Sequence, residues 1–225
     1  VDLFMMISGK KVRIWPGSGP DKPVIYLNTF PEEGALVYEM VKNSGKYDFS
    51  LVAVSELEWN HDLVPWDIPP VRKNDLPYTG GAQAYACLLT EQIIPKAEKE
   101  IQGCPPWRGI AGYSLAGLFA IYALYCTDLF SRAASVSGSL WFPEFKSFIF
   151  SHTMKCRPEY IYFSLGNKES KTNNACLRTV RSNTEEIAAC YRNMGIDTVF
   201  RLNPGNHFKD TARRMADGIL WLLDR

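Results

Sequence analysis

The nine residues Gly109-Ile110-Ala111-Gly112-Tyr113-Ser114-Leu115-Ala116-Gly117 decide how the rest of the chain is read. A short apolar run enters Gly-x-Ser-x-Ala-Gly, and an apolar helical stretch, Leu115 to Cys126, leaves it. A serine on a sharp strand-to-helix turn is held in a strained backbone conformation, and the residues two before and two after it must be small to avoid collision. Gly112 and Ala116 meet that demand, and Gly117 lets the new helix pack closely. Such a turn lifts Ser114 above the sheet. It also puts the Leu115 N–H at a helix N-terminus, where it can stabilise an oxyanion. The bland reading is a plain turn with a small polar residue. The flanking strand and helix favour the nucleophile.

Working outward, short apolar strand-like runs alternate with amphipathic helical stretches. Val12–Trp15, Val24–Asn28, Phe49–Val54, Arg108–Ala111, Ala133–Val136, Tyr160–Leu165 and Thr198–Leu202 read as strands. Gly34–Lys42, Ala82–Gln102, Leu115–Cys126, Thr179–Met194 and Ala212–Leu223 read as helices, with a kink expected at Pro95. This alternation implies an α/β fold with a mostly parallel sheet covered on both faces. The stretch from Ser55 to Gly81 reads as a long loop. Its Trp, Pro and Asp content marks it as functional rather than disordered.

At 225 residues, one domain spanning 1–225 is the expectation. The 25 Lys+Arg nearly cancel the 24 Asp+Glu without a like-charge block, so neither nucleic acid nor a membrane surface is expected as a partner. No segment approaches the roughly 18 consecutive apolar residues of a membrane span. The apolar start, Val1 to Ile7, lacks the flanks of a signal peptide. The six cysteines show no CxxC or CxxH spacing, which argues against a zinc site or a disulfide framework and suits a reducing, cytoplasmic setting. The chemistry read here needs neither metal nor cofactor.

Three histidines make the search for a base short. His207, in Asn203-Pro204-Gly205-Asn206-His207-Phe208, follows the last strand and precedes the last helix, where the order Ser, acid, His places the base. His152 reads as a surface residue. His61 precedes the nucleophile and is a candidate substrate contact. The acid should follow the Tyr160–Leu165 strand, and Glu169 is favoured to orient the imidazole. Asp210 and Asp197 compete for that role, and a Ser–His dyad stays open. A second oxyanion donor should come from the Leu27–Pro31 loop. Pro31 has no N–H, leaving Thr29 or Phe30, with Thr29 preferred.

Tyr26–Thr29, Trp59–Trp66, Gly80–Ala82, Gly112–Gly117, Ser135–Trp141, Leu165–Glu169 and Gly205–Phe208 together resemble the Putative esterase family of α/β-hydrolases, which contains enterochelin esterases, feruloyl esterases, the esterase D group and mycolyltransferases. The similarity runs along nearly the whole chain in the family's order. It implies hydrolysis of a small-molecule carboxylic ester through an acyl-enzyme on Ser114. It further implies that Trp141, Trp59, Trp66 and His61 wall the pocket, an aromatic setting suited to a siderophore-type or aromatic acyl ester. Two departures are visible. The segment from Trp141 to Tyr160 is too short for a helical lid domain, and the His-Gly-Gly oxyanion loop of many lipases is missing. An acyltransferase and a non-catalytic binding domain are the rival readings.

Overall fold

The computed structural model describes residues 2–225. Eight strands form one sheet: β1 (Leu3–Ile7), β2 (Lys10–Trp15), β3 (Val24–Asn28), β4 (Ser50–Ser55), β7 (Arg108–Tyr113), β8 (Arg132–Val136), β9 (Tyr160–Gly166) and β10 (Asp197–Asn203). Their spatial order is β1-β2-β4-β3-β7-β8-β9-β10. From β4 to β10 every pairing is parallel, while β1 and β2 pair antiparallel at one edge. This is the α/β-hydrolase arrangement. The central strands β3, β4, β7 and β8 are buried on both faces, in keeping with their mainly apolar runs.

Helices α1 (Glu33–Lys42) and α8 (Thr211–Leu223) cover one face. Val37, Val41, Met215 and Ile219 pack there on Leu27, Ala111 and Val136. The other face carries α3 (Ala82–Leu88), α4 (Ile94–Glu98), α5 (Leu115–Cys126), α6 (Phe145–Ser151) and α7 (Val180–Asn193). Helix α5 is buried nearly all round, because α3 and the sheet enclose it. Its continuous apolar sequence leaves no polar face for solvent.

Three elements differ from the sequence reading. The expected kink at Pro95 is a π-helical turn, Leu89–Ile93, between α3 and α4. Widening the turn ahead of the ring accommodates a residue that cannot donate its backbone hydrogen bond. The loop from Ser55 to Gly81 is partly ordered into helix α2 (Trp59–Asp62) and a short β5–β6 ladder, Asp67–Ile68 against Tyr78–Thr79. Within the apolar start, Leu3–Ile7 form the edge strand β1, with Phe4 and Met6 exposed, and Val1 lies outside the described residues. No helix among the described residues is long and apolar enough to cross a membrane.

Candidate active site

The parallel register sets the site. Gly112 pairs with Asn28 on one side and Ser135 on the other, and Gly166 pairs with Asn203. The loops leaving β7, β8, β9 and β10 therefore emerge side by side at the carboxyl edge of the sheet, where ligands of open α/β sheets bind. Each loop supplies one part of the site.

Ser114 turns from β7 into α5 at φ 58° and ψ −121°, a left-handed conformation costly for a residue with a Cβ. The elbow survives because Gly112 has no side chain: a Cβ there would sit 2.4 Å from the Ala116 backbone. The Ser114 amide donates to the Val136 carbonyl at 3.1 Å, tying the turn to β8.

His207 Nε2 lies 3.0 Å from Ser114 Oγ, and its Nδ1 lies 2.8 Å from Glu169 Oε2. The structure thus brings together the serine, the histidine and the carboxylate that chain order selected. Asp210 begins α8 as its left-handed cap and Asp197 opens β10, and neither reaches the imidazole. Glu169 is buried, with its side chain 4% exposed. Burial pushes its pKa up, but the hydrogen bond from His207, the Gly166 amide, the charge on His207 and the Ser137 hydroxyl outweigh that. Together they hold the carboxyl below its ordinary value.

The sequence reading missed the frame behind Glu169. Arg214 on α8 is 3% exposed. Its Nη1 donates to Tyr113 Oη at 3.2 Å, Ser137 Oγ at 3.3 Å, Glu169 Oε1 at 3.4 Å and the Asn206 carbonyl at 3.1 Å. Its Nη2 reaches the Pro204 carbonyl at 3.0 Å. Ser137 Oγ donates to Glu169 Oε1 at 2.7 Å, and Tyr113 Oη to the His207 carbonyl at 2.7 Å. One guanidinium therefore joins the acid to the histidine loop. A usable signal was present: Arg214 shares a helix stripe with Gly218 and Trp221, a charge on the face that turns inward.

The second oxyanion donor needs correction. The Thr29 N–H donates to the Val54 carbonyl at 3.0 Å, and its hydroxyl donates to Glu33 Oε2 at 2.8 Å. β3 ends at Asn28 as the sequence reading placed it, but its last pair, Asn28 with Val54, is closed by the Thr29 N–H, so this amide is engaged. Phe30 follows, and its amide has no hydrogen-bond partner among the described residues. By register it stands two residues beyond Asn28, level with Ser114 two residues beyond Gly112.

A cavity of about 220 Å³ opens over Ser114, walled by Tyr78, Trp141, Leu177, Val180 and Phe208. Trp141 is thus where the sequence placed it. Trp66 is not: its ring packs among Phe142, Phe145 and Phe148, and its Nε1 donates to the Pro143 carbonyl at 3.1 Å. Trp59 and His61 border a neighbouring outer cleft instead. Trp59 stacks on Phe30 with centroids 4.1 Å apart. The His61 Nδ1 is held 2.9 Å from the Thr79 carbonyl, and a Cβ at Gly81 would meet its ring at 2.5 Å. That packing places His61 against Thr79 and Gly81, outside the cavity over Ser114. His152 stacks on Phe148 at the surface.

The family model described as Putative esterase matches residues 33–207, a span that holds the elbow, the acid and the histidine. The chain belongs to this esterase family. It is a carboxylic ester hydrolase of the serine class by that membership. Among curated proteins, the esterase is 22% identical over 172 residues to the uncharacterised protein YbbA of Bacillus subtilis (strain 168), covering 73% of this chain and 69% of that one. Its structure is similar to the siderophore hydrolase EstA of Aspergillus nidulans, with TM-score 0.76, 19% identity, and coverage of 99% of this chain and 94% of that one. It is also similar to an IroE-like serine hydrolase of Shewanella oneidensis, with TM-score 0.79, 15% identity, and coverage of 100% and 80%. At these identities the likeness is one of fold.

Proposed function

We propose that the esterase works through an acyl-enzyme on Ser114, with His207 as general base and acid and Glu169 orienting the imidazole. The observation that carries this reading is the unbroken relay from Ser114 Oγ to His207 at 3.0 Å and on to Glu169 at 2.8 Å, opening into a cavity. Its lowered pKa keeps Glu169 ionised at neutral pH, so the carboxylate accepts the Nδ1 proton and leaves the Nε2 lone pair facing Ser114. His207 takes the Ser114 proton as Oγ bonds to the ester carbonyl carbon. The Leu115 and Phe30 amides receive the oxyanion, and His207 then protonates the departing alkoxide. Water, activated by the same imidazole, releases the acid.

The substrate we infer is an ester with a flat or aromatic acyl group. The cavity of about 220 Å³ is smaller than the roughly 300–1,000 Å³ of pockets that enclose a whole drug-sized ligand. It suits one acyl group lying against the edge-to-face pair Tyr78 and Trp141, with the alcohol left outside. A solved structure named ferulic acid esterase shares the fold, which is in keeping with the aromatic reading. Ser114→Ala is expected to lower turnover of p-nitrophenyl acetate by several orders of magnitude and to abolish fluorophosphonate labelling, with Tm retained. Retained turnover refutes the assignment. A panel of feruloyl, dihydroxybenzoyl and straight-chain esters then ranks the acyl group.

A further inference from the structure

The tripeptide Ser137-Gly138-Ser139 touches the relay at both ends. Ser137 Oγ binds Glu169, and Ser139 Oγ lies 3.3 Å from the nucleophile oxygen of Ser114. Ser139 is 2% exposed and lines the same cavity. Its placement is firm. The Ser139 amide donates to the Ser114 carbonyl at 3.0 Å, and the next carbonyl, of Leu140, accepts from Asn183 Nδ2 at 3.0 Å. Gly138 allows the chain to pass Ser135, because a Cβ would sit 2.1 Å from the Ser135 hydroxyl.

Two hydroxyls at this distance can bond in either direction, and the rest of the relay decides which. Glu169 is ionised and accepts the Nδ1 proton, so Nε2 carries a lone pair and Ser114 must donate to it. Ser114 has one proton, already committed to His207. It can only accept from Ser139. The chain of donors therefore runs from Ser139 to Ser114 to His207 to Glu169.

We propose that Ser139 is a further catalytic residue, its hydroxyl donating a hydrogen bond to the Ser114 oxygen as that oxygen loses its proton to His207. The inference rests on the Ser114 acyl-enzyme reading above. When His207 removes the Ser114 proton, negative charge builds on Oγ until the new bond to carbon forms. A hydrogen bond to that oxygen is stronger in this transition state than in the resting enzyme, and such differential binding accelerates the step. Ser139 keeps its own proton throughout: one O–H bond breaks on Ser114, one N–H bond forms on His207, and one O–C bond forms to the substrate. Once Oγ is an ester oxygen it is a weak acceptor, and the Ser139 hydroxyl is released.

The test is the rate of Ser114 phosphonylation by a fluorophosphonate, with kcat and KM for p-nitrophenyl acetate, in the wild type and in S139A and S139C. Losing one hydrogen bond to a developing charge predicts a fall of about 10- to 100-fold in phosphonylation rate and kcat for S139A. KM and Tm should stay near wild type. S139C has nearly the same shape with a weaker donor, so it should fall in between, and it carries the test if S139A does not fold. Equal rates in the wild type and either variant overturn the proposal. So does a loss seen only at temperatures where the variant is unfolding. A wild-type enzyme that the probe fails to label at Ser114 refutes the hydrolase mechanism itself, which is a separate outcome.

Discussion

Replacing Arg214 by methionine tests whether the acid and the histidine are held by one buried charge. The change keeps an apolar stem of similar length but removes a guanidinium that is 3% exposed. Glu169 would keep its bonds to Ser137, Gly166 and His207 but lose the only guanidinium or ammonium group within 4.0 Å among the described residues. The carbonyls of Pro204 and Asn206 would lose their guanidinium partner. Removing one member of a buried pair costs about 3–5 kcal/mol, because the other charge stays buried. In a domain of this size each kcal/mol lowers Tm by roughly 2–4 °C, so R214M should melt roughly 6–20 °C below wild type. At a temperature where the variant remains folded, the Asn203–Phe208 loop should hold His207 less well and fluorophosphonate labelling should slow. R214K places a single charge that cannot span both the acid and the loop carbonyls, and should lie between. Differential scanning calorimetry and labelling kinetics read both effects. A Tm within about 3 °C of wild type, with unchanged labelling, would refute the claim that Arg214 organises the site.

Glu169→Gln should slow turnover strongly while Ser114 remains in place, and an unchanged kcat would reduce the relay to a Ser–His dyad. The same substitution tests the pH dependence of stability. Because the folded-state pKa of Glu169 lies below the ordinary 4.5, its contribution is present above pH 4.5 and is lost as pH falls through the folded value. E169Q should therefore flatten the acid side of a Tm-against-pH curve below about pH 4.5, and a curve parallel to wild type would contradict the shift. Gly112→Val should disrupt folding or the elbow, since even a Cβ would meet Ala116 backbone at 2.4 Å; a folded, fully active variant would show that the turn relaxes.

The residues whose placement follows from local backbone chemistry were legible in the chain. Gly112, Ser114 and Ala116 announce a tight strand-to-helix turn by size alone. His207 and Glu169 follow from strand order, because parallel strands place successive loops along one edge. The parallel core was readable for a similar reason: strands buried on both faces must be continuously apolar. Period and turn chemistry are properties of neighbours in sequence.

What depends on partners distant in the chain was settled only by the tertiary structure. Whether the Thr29 amide is free depends on how far β3 pairs with β4, and it donates to Val54, which leaves Phe30 as the candidate donor. Trp66 and Trp141 look alike in sequence, yet one ring packs among Phe142, Phe145 and Phe148 while the other faces Ser114. Arg214 reaches the acid from 45 residues away, and Ser139 reaches the nucleophile from 25. The elbow itself was determined by steric demands within a few residues. The hydrogen bonds around it required the sheet to align four loops, and that alignment is a property of the folded chain alone.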